Sequence, residues 1–254
     1  MGSAAAESKK VADLVLLERD LGVVAEGVSE GRTSFANASK YIRIASSSNF
    51  GNICSVAASS IFLPFVPATA TQLLLLNLCY DATCLALSWD NVDDAEIARP
   101  RAWSGKGLGS FMLHFGFASS AFDIITFAIL FLGVCPAVCG APFAALDAAG
   151  RAAFIATFQA GWLLECAWTE SLVLLVLRTR SVRDGDRPCT PLVVMVAVML
   201  VVTALLALSP VAQLFGLATL PVWYLGIVAL LSVLYLVVAS TIKRVYLARS
   251  SSLF

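Results

Sequence analysis

Four polar residues stand where lipid would not tolerate them. In the stretch SSSNFGNICSVAASSIFLPFVPATATQLLLLNLCYDATCLALSWD, residues 46–90, two apolar spans are joined by a tight turn carrying Pro64 and Pro67. Asn49 and Asn52 lie three apart on the first span, and Asn77 and Asp81 four apart on the second. Either spacing places both members of a pair on one face of a helix. An ionisable group such as Asp81 inside an apolar span costs about 2.5 kcal/mol or more, so it faces a partner, a cavity or an ion. Amide oxygens and a carboxylate from facing helices are the hard ligands that a cation such as Mg²⁺ or Ca²⁺ prefers. The four residues read as half of an intramembrane cation site.

The elements that must position them are membrane helices. The 254 residues are 59% hydrophobic and 13% charged, with a mean hydropathy of +0.85, which fits an integral membrane protein and not a soluble domain. The net charge is zero and no basic surface suggests a nucleic-acid partner. Six spans are expected, at 42–63, 69–88, 111–134, 153–177, 191–209 and 221–242, each long enough for a hydrocarbon core of ~30 Å. Of the 17 Lys and Arg residues only Arg151 falls in the three loops that alternate with the N-terminal segment, the 89–110 loop, the 178–190 loop and the C-terminal tail. That alternation predicts cytoplasmic N- and C-termini. The expected fold is all-α, a polytopic bundle of six transmembrane helices in the lipid bilayer, entered by a cytoplasmic stalk helix from Asp20 in which Gly27 and Gly31 are weak points. The last two spans are almost wholly apolar and read as scaffold. No sorting signal is legible, and the plasma membrane is the expected location.

Three further acids lie in the expected spans. Asp123, a turn after Ser119 and Ser120, reads mainly as a buried acid bonded to hydroxyls of a neighbouring helix, with ion handling as the alternative. Glu165 and Glu170 are five apart, about 140° around a helix, so they do not both face one site squarely. For Glu170 the plain reading is a helix–helix hydrogen bond, with a place as ligand or on the ion path as the alternative. His114, without a paired ligand in the sequence, reads as interfacial. Most of the seven cysteines read as small hydrophobes in apolar spans, and Cys135 with Cys139 forms a weak candidate pair. The N-terminus MGSAAAESKK lacks the apolar core of a cleaved signal.

The blocks SSNFGN, NLxYD and SWD, with FDxxTFA at 122–128, FQxGWxxE at 158–165, LRT at 177–179 and KRxY at 243–246, resemble the fifth to tenth membrane helices of P-type cation ATPases. The resemblance is to the magnesium-transporting subfamily, because calcium-pump relatives carry a glutamate at the position of Asn52. It implies that Glu165 completes the cation site with Asn49, Asn52, Asn77 and Asp81, and that Mg²⁺ or another divalent cation is the transported ion. It further implies that residues 1–19 are the remnant of a cytoplasmic phosphorylation domain, with a last strand over 11–19. Residues 20–41 would be the stalk, 42–249 the six-helix transport domain and 250–254 a tail. The charged 89–110 loop, with RPRxW at 99–103, resembles the cytoplasmic link between the sixth and seventh helices; taken alone it reads as a solvated acidic loop.

No DKTGT, TGE or nucleotide-binding segment occurs in the sequence. The resemblance therefore implies the C-terminal portion of a longer pump, with no catalytic residue of its own and no bound cofactor beyond the transported cation. ATP and Mg²⁺ would act on cytoplasmic ATPase domains outside this chain. The alternative is a non-catalytic membrane protein that partners or regulates a pump. A passive channel or carrier is disfavoured, because the two halves show no inverted repeat.

Overall fold

The computed structural model describes residues 10–13, 15, 20, 22–92, 94–98, 100, 105, 107–179 and 187–249. All regular structure among them is helical. Helix α1, Gly22–Ser59, runs for 38 residues, or about 57 Å at 1.5 Å per residue. It joins the expected stalk and the 42–63 stretch into one rod and passes through Gly27 and Gly31 without a break. The Asp20 carboxylate accepts the Gly22 N–H at 2.7 Å, as an N-terminal capping group does. The strand expected at 11–19 is not seen: Val11 is helical and Ala12, Asp13 and Val15 are irregular, while residues 14 and 16–19 lie outside the described residues. A single short segment with no sheet beside it has no ladder to join.

After the Pro64–Pro67 turn, Thr69 opens α2, Ala70–Cys84, with a capping box: Gln72 N–H donates to Thr69 Oγ1 at 3.3 Å and Thr69 N–H to Gln72 Oε1 at 2.9 Å. α2 tightens into a 3₁₀ turn over Leu85–Trp89, and a single turn forms at Asp94–Ile97. Helix α3, Leu108–Ile129, starts from Gly107 at φ 96° and runs through a π-helical turn, Leu130–Val134, into Cys135–Cys139. Helices α4, Ala148–Leu177, α5, Thr190–Leu208, and α6, Tyr224–Arg249, complete the bundle. Asp147 caps α4 by accepting the Gly150 N–H at 2.8 Å. The thiols of Cys135 and Cys139 are free, so that candidate pair is not a disulfide.

Among the described residues five helical stretches are long and apolar enough to cross a membrane: Ala70–Trp89, Leu108–Cys139, Ala148–Leu177, Thr190–Leu208 and Tyr224–Ala248. They match the last five expected spans to within a few residues. The 42–63 stretch falls short by composition, because Ser46, Ser47, Ser48, Asn49, Asn52, Ser55, Ser59 and Ser60 dilute it. Most of these small polar side chains are buried against the bundle. At the crossing of α1 and α3 a Cβ on Gly51 would sit 3.0 Å from the Gly116 carbonyl, and Ser120 Oγ–H donates to the Gly51 carbonyl at 2.8 Å. Small residues let the two backbones approach this closely.

α4 is the central helix: 78% of its most apolar stretch is buried, against 22% for α5 and 28% for α6. α5 and α6 turn Val194, Val201, Leu205, Leu230 and Val237 outward, as a lipid-facing surface requires. Two cores hold α4. At one end Phe65 from the α1–α2 turn meets Phe158 with ring centroids 5.1 Å apart and Phe143 at 5.4 Å. At the other, Phe111 and Phe115 pack 4.5 Å apart and both reach Tyr246 of α6 at 6.0 Å.

Candidate cation site within the bundle

Because α4 from Phe154 onward is enclosed by the other helices, acids on different faces of it, Glu165 and Glu170, are both buried. Toward α1, Asn52 Nδ2 donates to Glu170 Oε1 at 2.9 Å, and the two residues are only 6% and 4% exposed. Toward α3, Trp162 Nε1 donates to Asp123 Oδ1 at 2.9 Å, and Cys166 Sγ lies 3.4 Å from the same oxygen. Ser55 of α1 donates its hydroxyl to Asp123 Oδ2 at 2.5 Å. Asp123 is thus held by donors on two neighbouring helices, the structural role its position suggests. Glu165 is 1% exposed, with Oε2 3.9 Å from Cys166 Sγ. One ligand-capable atom from each of Asp123, Glu165 and Cys166 falls within 4.8 Å of the others.

The two salt bridges seen among the described residues both use Asp90, and neither reaches Asp123, Glu165 or Glu170. Ionised and unpaired, each of these buried carboxylates would cost several kcal/mol, on the order of what any desolvated ion costs. Protons or a bound cation must neutralise them.

The remaining expected ligands lie further out. Asn49 and Asp81 are exposed and Asn77 is half-buried. Asp81 Oδ1 accepts the Tyr41 hydroxyl at 3.1 Å. Burial and the adjacent Asp81 carboxylate push the Tyr41 phenol above its ordinary value, which keeps it a neutral donor. Asp81 also lines a cleft of about 590 Å³ between α1 and α2, together with Ser34, Asn37, Tyr41 and Leu85. Of the five expected ligands, the structure sets Asn52 and Glu165 in the bundle interior and Asn49 and Asp81 at its surface.

One buried site has no counterpart in the sequence reading. Asp90, at the start of the loop read as solvated, is 3% exposed. Its Oδ2 pairs with Lys40 Nζ at 3.0 Å, and Arg178 donates through one nitrogen to Oδ1 at 2.8 Å and Oδ2 at 2.9 Å. Asn37 Nδ2 donates to the Asp90 carbonyl at 2.9 Å, and Lys40 also reaches the Asn91 carbonyl at 2.8 Å. Lys243 of α6 donates to the Val176 carbonyl at 2.7 Å, where the end of α4 presents its unpaired acceptors. α1, the end of α2 and the end of α4 are therefore tied at one carboxylate. His114, by contrast, is exposed, with Nδ1 2.7 Å from the Ser110 carbonyl. The acidic residue 93 and the RPRxW arginines 99 and 101 lie outside the described residues.

Comparison with known proteins gives a consistent answer. Residues 65–245 match the family described as cation transporting ATPase, C-terminus. The chain is 38% identical over 223 residues to the magnesium-transporting ATPase, P-type 1, of Salmonella typhimurium, covering 87% of this chain and 23% of that protein. It is likewise 38% identical over 219 residues to the protein of that description in Escherichia coli, with 85% and 23% covered. A shorter match, 33% over 104 residues and 40% of this chain, is to an endoplasmic reticulum-type calcium-transporting ATPase of Arabidopsis thaliana, 10% of which is covered. The chain spans about a quarter of the length of the magnesium-transporting relatives, 23% of each.

Proposed function

The chain belongs to the cation-transporting ATPase family, corresponding to its C-terminal membrane region, and from that premise we propose that it forms part of the Mg²⁺ pathway of a P-type pump. It is a multi-pass integral membrane protein. In the proposed pump the other ATPase domains take ATP and the phosphoryl group, and α1 carries their motion into the bundle. The C-terminal part of α1 acts as the first of six spans, both termini are cytoplasmic, and the pump works in the plasma membrane.

Asn49, Asn52, Asn77, Asp81 and Glu165 handle the ion. What supports this reading above all is Asn52 and Glu165 buried beside Asp123 and Glu170, acids that neither salt bridge among the described residues reaches, in a chain 38% identical to magnesium-transporting relatives. Mg²⁺ binds oxygen at about 2.0–2.1 Å in octahedral geometry and gives up its water reluctantly. A shell with several neutral amides suits an ion that keeps part of that water. The exposed Asn49 and Asp81 provide the outer half of the shell, to be closed by membrane segments of the same pump.

Replacing Asp81 by Asn in the complete pump carrying this segment removes the charge and keeps the shape. Mg²⁺ uptake in cells lacking other magnesium importers is expected to be abolished while membrane insertion is unchanged. Uptake retained at the wild-type rate overturns the assignment.

A further inference from the structure

The pair formed by Asn52 and Glu170 is only half satisfied. Asn52 Nδ2 and Glu170 Oε1 are bonded at 2.9 Å, but Asn52 Oδ1 and Glu170 Oε2 are buried acceptors with no hydrogen-bond partner. We infer that Glu170, acting with Asn52, is an inner ligand of the transported divalent cation, an inference that rests on the cation-pathway reading above.

The contrast with Asp123 carries the argument. Asp123 is fully occupied by the Ser55 hydroxyl, the Trp162 indole N–H and the Cys166 thiol, so its oxygens are spent on holding helices together. Glu170 and Asn52 each keep a buried oxygen that no protein donor meets. A buried acceptor left bare costs about 1–3 kcal/mol, and more when charged. A cation relieves both oxygens at once.

The spacing is also right. A half-turn of the Asn52 amide about its last torsion puts Oδ1 where Nδ2 stands, 2.9 Å from Glu170 Oε1. Neighbouring ligands of an octahedral ion with bonds of about 2.1 Å are about 3.0 Å apart. The amide thus has two settings, donor to Glu170 in the empty site and co-ligand with it in the filled one. Glu170 brings a full negative charge to an amide-rich set, which favours a divalent over a monovalent ion.

The test uses the complete pump carrying this segment, in lipid nanodiscs and without nucleotide. Mn²⁺ is the probe, followed by electron paramagnetic resonance, with Mg²⁺ and Ca²⁺ as competitors. Glu170→Gln, close in shape and still able to pair with Asn52, is expected to weaken binding roughly 10- to 100-fold, at least what the loss of a supporting group around a metal costs. Glu170→Asp keeps the charge but draws the oxygens back, and is expected to shift competition from Mg²⁺ toward the larger Ca²⁺. A purely structural Glu170 would move neither affinity nor ion preference. Asp81→Asn is run in parallel. If it weakens binding and neither Glu170 variant alters affinity or preference, the inference fails while the pathway reading stands. If the wild-type pump binds no Mn²⁺ that Mg²⁺ displaces, or no variant changes that binding, both fail.

Discussion

Replacing Asp90 by Ala is expected to cost about 3–5 kcal/mol, the range found when one partner of a buried ion pair is removed. The Asp90 side chain is 0% exposed, and those of Lys40 and Arg178 are 5% and 2% exposed, so solvent screens the pair little. At 3.0 Å and an effective dielectric near 20, the Lys40 contact alone has a Coulomb attraction of about 5.5 kcal/mol before desolvation is subtracted. Arg178 adds a second contact of similar size at 2.8 Å. Desolvating three charged groups offsets much of this, which is why the expected net loss is well below the gross attraction. The assay is reversible unfolding of the chain in mixed micelles by increasing the denaturing detergent, followed by helical circular dichroism and by tryptophan fluorescence. The combined Lys40→Met, Asp90→Leu and Arg178→Met variant is the companion, because a well-packed apolar replacement of a buried ion group is often near neutral. A loss below about 1 kcal/mol in Asp90→Ala, the size of an exposed pair, refutes the reasoning. So would a triple variant less stable than Asp90→Ala.

Two further substitutions probe the packing. Gly51→Ala places a Cβ 3.0 Å from the Gly116 carbonyl and 3.1 Å from Ser119 Cβ, so α1 and α3 must separate slightly; a loss of about 1–3 kcal/mol is expected in the same unfolding assay, and an unchanged midpoint would show that the crossing is looser than drawn. Trp162→Phe removes the indole donor from Asp123 while filling most of the volume. It is expected to lower stability by about 1–3 kcal/mol, and near-neutrality would mean that Asp123 does not depend on that bond.

Much of the bundle could be read from residue order alone, for physical reasons that differ by element. α4, α5 and α6 are bounded by loops whose charge or Pro and Gly content cannot continue into lipid, so their ends fell within a few residues of expectation. α1 was harder, because its polar residues face protein: hydropathy averages all sides of a helix and cannot register that Ser47, Ser48, Asn52, Ser55 and Ser59 are buried. The angular argument about Glu165 and Glu170 was sound as geometry. The two do turn to different neighbours, yet both are buried because α4 has protein on every side there. Asp90 was illegible for another reason. In WDNVDD nothing local marks Asp90 as buried, and its partners Lys40 and Arg178 lie 50 and 88 positions away in the chain. The Asn52–Glu170 bond spans 118 positions. Such pairings arise from the packing of helices, which residue order by itself does not encode at any fixed spacing.

The unbroken course of α1 has a mechanical consequence. Near its middle the rod is gripped at Lys40 by Asp90, and eleven positions on, about 16 Å along the axis, it rests at Gly51 against Gly116. A stiff shaft seated in a collar and on a bearing resists tilting far more than rolling. Torque applied to its N-terminal end would then arrive as a turn about its own axis, sweeping Asn49 and Asn52 through the same angle.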